Sequence, residues 1–557
     1  MNLFDHIKQL YDAELYQDVR CLACITLTIC DNSTDVEVLS LPQKFQCMVY
    51  YGDSLYHLAE VMKAECIYGK ALLLRKEFQR PKGKTGLQVG FELTSDVEVK
   101  YRMYQCLLKQ KHVREAMTVL EGISSKQRTP KINLALAKLY LKAGFDRIAI
   151  TCYKEVLREC PLALDAIYGL LSLGVNGADV AAIVMNGLPH GTSYDWLTTL
   201  IKGQSYFCSQ EYTNAVTTFK MMDAKPTLKN NIYIISSIGE TRFYEGSYDL
   251  ALLAFQRAHT LDPFHLKNMD LFAYLLAKEK KTKELEKLAH TLMGMTEQSP
   301  EPWIAIGYYS LVTRKATRAV YFAQKATSID TTNVEGFLLK GAALLDLKKT
   351  DEAWQHFQAA LTLARHRYEA YHGVVECALA SHNTSQALGW AARARTAIGS
   401  TARTLTLYAS VMAKEPTLIS KAKTNLEKAM KLDSSYLEPV YIMAELLAEE
   451  HQYEKGIELL RRQLKNHSTC RLHQLLGDFL HQTSEIQEAL DQYSIALSLD
   501  PSFAKAKEGI ERVEKQNDLG LEGGYDVEVE EVEGSDTNDG DFDASDVEST
   551  WSDTDFS

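Results

Sequence analysis

The sequence predicts an all-α solenoid of repeated helical hairpins, followed by an acidic C-terminal tail that stays disordered. Three observations carry that expectation. A small residue recurs about every 34 positions along most of the 557 residues. It is followed, on a second helix, by another small residue and an aromatic one. The acids behind the formal net charge of −12 crowd into the last stretch of the chain.

Length alone requires either several domains or an array whose core grows with the chain, because a single hydrophobic core stops growing well below this size. The period decides for the array. The small residue can be followed through Gly52, Tyr104, Ala137, Leu170, Gly203, Gly239, Ala273, Gly307, Gly341, Val375, Ser410, Ala444 and Gly477. From Tyr104 onward the steps are 33, 33, 33, 36, 34, 34, 34, 34, 35, 34 and 33 residues. Tyr104, Leu170, Val375 and Ser410 are the degenerate links. In its fullest form the pattern reads Gly477, Leu480, Ala489, Tyr493, Ala496 and Pro501, with copies at Gly239, Ala251, Phe255, Ala258, Pro263 and at Ala137, Tyr140, Ala149, Tyr153, Pro161. This is the tetratricopeptide repeat, about thirteen copies of it. Small residues let paired helices approach, larger ones fill between them, and each hairpin buries its apolar face only by stacking on its neighbours in a superhelix.

Taken in order, residues 1–76 form N-terminal helices and a first repeat. Residues 77–95, rich in Gly and Lys with Pro81 in the middle, read as a flexible loop. Its Gly83-Lys84-Thr85 lacks the glycine five positions earlier, where Phe78 stands, and no strand precedes it, so a solvated basic loop is expected there and not a phosphate site. Residues 96–501 hold the tandem repeats, with Thr129-Pro130 expected as a helix cap followed by proline in the first turn. Residues 502–519 should form a capping helix. Residues 520–557 hold fourteen Asp or Glu and no Lys or Arg. Without them the remaining 59 acids face 61 bases, so the body is nearly neutral. The tail has too little apolar surface and too much like charge to fold. Within it Ser545 and Ser552 each stand three residues before an acid, a context for an acidophilic kinase, and Thr129 is a minimal target for a proline-directed one.

Several classes are excluded or disfavoured. Eleven cysteines, an odd number without regular spacing, suit a reducing compartment. No secretory signal is visible, and the longest apolar stretches fall short of the roughly 18 residues a membrane span requires. The expected setting is nucleus and cytoplasm. Cys21 and Cys24 have no second pair nearby to complete a zinc site, so two small buried residues one turn apart are expected. No hydrolase, metalloprotease or kinase motif is present, and the repeats leave no room for a catalytic domain. No cofactor or metal is expected, and a neutral body without a basic, aromatic stripe disfavours nucleic acid.

What remains is the groove lined by positions one after and three before each small anchor. Tyr308, His372, Glu376, Tyr441, Glu445, Gln474 and Asp478 occupy such positions. This acidic and aromatic set suits a partner's arginine, through charge-assisted hydrogen bonds and stacking. A chaperone-type adaptor that clamps C-terminal peptides is the alternative, but the Lys and Asn it would use at these places are missing.

Beyond the generic repeat, the stretches KQRTPKINLALAKLYLKAG, YKEVLRECPLALDAIYGLLSLGVNGADV and LLGDFLHQTSEIQEALDQYSIALSLDP resemble the subunit-seven family of the anaphase-promoting complex, or cyclosome. The likeness runs from the opening MNLFDHI to the acidic end. It implies a non-catalytic scaffold in a cell-cycle ubiquitin ligase, a homodimer joined through N-terminal repeats, and contacts to related repeat subunits. The loop at 77–95 and the extreme tail depart from the family pattern.

Overall fold

The computed structural model describes residues 2–32, 38–78, 93–189 and 194–521. Residues 79–92 of the expected loop, the tail beyond 521, and with it Ser545 and Ser552, lie outside the described residues. Among those described are twenty-nine α-helices and two short 3-10 turns. Twenty-eight of the α-helices follow one another as fourteen hairpins in sequence, from Leu3–Asp12 with Tyr16–Asn32 to Cys470–Gln482 with Ile486–Leu499, and in all but Tyr368–Ala380 with Thr384–Ile398 the packing of the two helices is described. A last helix, Ala504–Leu521, packs on the fourteenth hairpin. All thirteen predicted anchors fall on the first helices of thirteen successive hairpins, the four degenerate ones included.

The packing follows from one contact repeated along the chain. At five of the six anchor glycines an aromatic side chain on the second helix lies against the bare backbone of the first, while at Gly307 the close neighbour is Leu339 of the following first helix. A Cβ placed on Gly52, Gly203, Gly239, Gly341 or Gly477 would come within 2.6–2.7 Å of Tyr68, Phe219, Phe255, Phe357 or Tyr493 respectively. Those rings are nearly or fully buried, so nothing larger than hydrogen fits between helix and ring. Where the anchor is not glycine, a buried small or branched residue serves, as with Ala137, Leu170 and Val375.

Two recurrent turns join the helices. Within hairpins the first helix ends in a left-handed residue, such as Gly144, Gly246 or Lys348. The N–H of the residue after it then reaches back to an open carbonyl: Lys349 N bonds Leu344 O at 2.9 Å. Between hairpins an aspartate closes the second helix. The side chains of Asp262, Asp330, Asp433 and Asp500 each accept the backbone N–H two residues on, at 2.9 Å, which turns the chain toward the next repeat. Pro161, Pro263 and Pro501 sit in these outer turns.

The chain divides into two compact units, 1–373 and 374–557. The first unit buries, among others, Tyr104, Leu136, Tyr153, Ile167 and Val180 in one cluster. The second centres on Leu426, Val440, Leu460, Leu476 and Tyr493.

Two expectations are corrected. Cys21 and Cys24 are exposed on the helix Tyr16–Asn32, because Val19, Ala23, Thr26 and Leu27 form its buried side and the cysteines fall opposite. Thr129 does occupy the N-cap of the helix Pro130–Ala143, but its side chain makes no capping hydrogen bond.

Replacing Gly341 or Gly477 by Leu should therefore lower stability by about 1–3 kcal/mol, read from urea unfolding of the full chain. Thr129→Ala, by contrast, should cost less than about 0.5 kcal/mol, since no hydrogen bond is lost. A larger loss would show that the hydroxyl caps the helix in solution.

Candidate protein-binding groove

Positions one after and three before an anchor share a face of the first helix, because residues four apart stand one turn above another. In several hairpins that face carries polar and aromatic side chains, and part of it is already engaged with the chain's own arginines.

In the first unit, Tyr308 is buried and donates its hydroxyl to Glu335 Oε2 at 3.1 Å. Glu335 in turn pairs with Arg367, whose side chain is about 1% exposed. The guanidinium also meets Glu369 Oε2 at 2.9 Å, and it lies 4.3 Å from the ring centre of Phe243 and 5.3 Å from that of Tyr244. Glu369 also accepts the hydroxyl of Tyr248. Rings continue the cluster: Phe243, Tyr248, Tyr274 and Tyr308 stand with neighbouring centroids 5.2–6.3 Å apart. Arg367 is thus held by two carboxylates below a wall of aromatic faces.

More acids than bases surround this arginine. Glu240 and Asp270 have their carboxyls raised by burial, and each accepts an asparagine amide, Asn268 at 3.1 Å and Asn333 at 3.3 Å. Burial also pushes Glu335 up to about 7, despite the opposing pull of Arg367.

In the second unit, the guanidinium of Arg471 lies 4.1 Å from the ring centre of Tyr441 and 3.3 Å from Glu445 Oε1, so both of these groove residues share one arginine from the next hairpin. Tyr441 also hydrogen-bonds Thr469 at 3.3 Å. Gln474 donates to Asp478, which accepts Tyr493 Oη at 2.7 Å and Arg512 at 3.1 Å. Burial and Asp478 together raise the Tyr493 phenol.

The same set stands at the other end of the chain. Asp53, one after Gly52, accepts the hydroxyls of Tyr11 at 2.8 Å and Tyr68 at 2.6 Å, and pairs with Arg102. Anchor glycine, following aspartate, tyrosine sixteen residues after the glycine and an arginine from the next first helix form one repeated unit.

Of the seven sequence-derived groove residues, Tyr441 with Glu445 and Gln474 with Asp478 come together in pairs, and Tyr308 joins the Arg367 cluster. His372 and Glu376 share the helix Tyr368–Ala380, the former half-buried with its ring 6.0 Å from Tyr368 and the latter exposed. Asp53, Glu240, Asp270, Glu335 and Arg367 were not anticipated. Asp53, Glu240 and Asp270 obey the same spacing rule and could have been found by it. Arg367 lies in the linker between hairpins, where no period points to it. Among the described residues no cluster of metal ligands occurs and no helix is long and apolar enough to cross a membrane.

Stacked hairpins with this inner face define a tetratricopeptide-repeat protein. No family model matches the chain. It is 40% identical to anaphase-promoting complex subunit 7 of Homo sapiens and of Mus musculus, over 99% of each chain in both comparisons. Identity to the Arabidopsis thaliana subunit 7 is 28%, over 92% of this chain and 94% of that one. Among solved structures, the crystal structure of the APC/C hetero-tetramer Cut9–Hcn1 matches with a TM-score of 0.56 at 14% identity, over 92% of this chain and 96% of that chain, a likeness of fold. The chain belongs to the anaphase-promoting complex subunit 7 family. As a member of this family of repeat subunits it is not an enzyme.

Arg367→Met should destabilise the chain by about 3–5 kcal/mol, since it leaves Glu335 buried without its cation. The loss should depend on pH. Between the ordinary value of 4.5 and the folded value near 7, the folded chain holds a proton on Glu335 that the unfolded chain has released. This contribution is full below about 4.5 and fades as pH rises through 7. Removing Arg367 raises the carboxyl further, so unfolding midpoints should show a larger deficit at pH 8 than at pH 5.

Proposed function

We propose that this chain is a scaffold subunit of the anaphase-promoting complex, acting as a homodimer and joining other repeat subunits of that ligase in nucleus and cytoplasm. The family relationship supports the assembly. The dimer reading is carried by one observation, the apolar faces that the N-terminal helices leave uncovered.

On Tyr16–Asn32 the exposed side carries Cys21, Cys24, Ile25, Thr28 and Ile29, one stripe at helical spacing, with Ile25 58% exposed. On Val61–Phe78 a second stripe runs through Met62, Cys66, Gly69 and Leu73, with Met62 74% and Leu73 61% exposed, and nothing lies within 4 Å of where a Cβ on Gly69 would stand. Two stripes of this kind suit a self-complementary contact, in which a second copy presents the same residues.

The groove residues Tyr308, His372, Glu376, Tyr441, Glu445, Gln474 and Asp478 belong to this proposal as a protein-contact face. Because arginines of the chain already occupy part of it, a partner would meet the exposed edge of Glu445 first. Thr129, exposed and free of a capping bond, is the accessible phosphorylation candidate among the described residues.

Light scattering tests the dimer. The full chain should have twice the mass of one copy, 62.7 kDa. Ile25→Asp combined with Leu73→Asp should return it to a single copy with unchanged helical circular dichroism. A monomeric parent chain, or a double variant that stays dimeric, would remove these stripes from the interface.

A further inference from the structure

Three successive hairpins of the first unit carry a pair of bases on the turn between their two helices. The first helices Met269–Lys278, Pro300–Val312 and Val334–Asp346 pack one on the next, so the turns at their C-terminal ends form a row. The left-handed residue of each turn is Lys280, Arg314 and Lys348, with φ of 54°, 62° and 60°. The residue after it is Lys281, Lys315 and Lys349, whose N–H closes the turn on Leu276, Ser310 and Leu344 at 3.0, 2.8 and 2.9 Å. The same turn, repeated at 34-residue steps, therefore sets each pair of bases in an equivalent place.

The turn itself does not call for them. Equivalent left-handed positions hold Ala59, Gln210, Gly246 and Ser484, and glycine is the residue this conformation favours. One cation near a helix C-terminus is favourable, but a second on the same turn brings a like charge beside it. Nor are the bases used within the chain. Lys349 meets Glu352 at 3.4 Å, while the side chains of Lys280, Lys281, Arg314, Lys315 and Lys348 have no hydrogen bond or ion pair among the described residues. All but Lys281 are exposed. Five cations along one edge repel one another, with no ion pair of their own to offset it.

The row is not uniformly positive. Over residues 278–284, 314–318 and 346–352 nine bases stand with five acids, Glu279, Glu284, Asp346, Asp351 and Glu352. That mixture selects the partner. A nucleic-acid strand brings a charge with every nucleotide, and some of its phosphates would meet those acids. A polypeptide can place carboxylates only where a base stands and keep uncharged residues between them. Packed helices lie on the order of 10 Å apart. An extended polyproline-II segment advances about 3.1 Å per residue and returns every third side chain to the same side. Carboxylates at every third residue therefore reach successive turns, and about seven residues cover all three. At the middle turn Arg314 can hold its carboxylate with two parallel hydrogen bonds.

We propose that the row formed by Lys280, Lys281, Arg314, Lys315, Lys348 and Lys349 is a docking surface for an extended acidic segment of a partner protein, with a carboxylate at every third residue. The row takes a partner of opposite charge to the one the groove residues suit, and it does not depend on the chain being a dimer. Each ion pair is exposed to water and weak, so affinity comes from several acting together and falls as salt rises.

Fluorescence anisotropy of a labelled peptide of about ten residues, with Glu at every third position and Gly or Ser between, tests this against the full chain. At roughly 0.1 M salt the peptide should bind, and at roughly 1 M, where the screening length falls from about 10 Å to about 3 Å, binding should be lost. Lys280→Gln, Arg314→Gln and Lys348→Gln together should weaken it about tenfold. Lys126→Gln, Lys142→Gln and Lys225→Gln, which remove the same charge from exposed lysines of other hairpins, should change it less than about twofold. No binding at the lower salt overturns the proposal, as does equal weakening by the two triple variants. Equal affinity for a peptide of the same composition with its Glu residues in one block would also overturn it. An oligothymidine that binds as tightly, and loses as much in the row variant, would make the occupant a nucleic acid instead. Should the row variant fail to fold, carbodiimide crosslinking of the peptide to the unaltered chain decides the matter. Links concentrated on Lys280, Lys281, Lys315, Lys348 and Lys349 support the row, and links spread evenly over all exposed lysines overturn it.

Discussion

Phe357 presses one ring against two successive first helices, at Gly341 and at Gly373, and neither position has room for a methyl group. Tyr493 does the same between Gly477 and Gly509. This pinch sets the distance between helices within a hairpin and between one hairpin and the next, so the 34-residue period in the sequence is the imprint of a single steric contact. Everything else is arranged around it. The residue after the glycine is carried to a defined place on the inner face, and the turn after the helix begins at a defined height.

The inner face shows how a repeat that is apolar by design handles the polar groups it collects. Asp53 and Asp478 each follow a pinched glycine, and each takes the hydroxyl of the tyrosine whose ring makes the pinch. An arginine from the next helix completes both. Where no repeat-encoded arginine is available, Arg367 from an interhairpin linker fills the place among Glu335, Glu369 and the Phe243–Tyr244 rings. The acids are therefore structural before they are anything else, and what they offer a partner is limited to the carboxylates the chain has not already used.

The fold was legible because its cause is local and periodic. Gly477, Ala489 and Tyr493 can be read from spacing, and the same spacing located even the degenerate anchors at Leu170 and Val375. Cys21 and Cys24 were misread because a spacing of three places two residues on one face without saying which face is buried. That was decided by Val19, Ala23 and Leu27. Arg367 could not be read at all, since its partners lie as far away in sequence as Phe243 and Tyr248, and such contacts leave no period.

That long reach changes how the first unit comes apart. A solenoid whose repeats touch only their neighbours frays from its ends, one hairpin at a time. Here the hydroxyl of Tyr248 is bound to Glu369, 121 residues on, and Lys111 reaches the carbonyl of Ser328 across 217. The second of these contacts lies at the surface, but opening the hairpins around Arg367 would leave Glu335 and Glu369 buried without their cation, so those hairpins are coupled. The middle of the unit is converted from a chain of independent links into one cooperative block, held to an all-or-none transition by an arginine that belongs to no repeat.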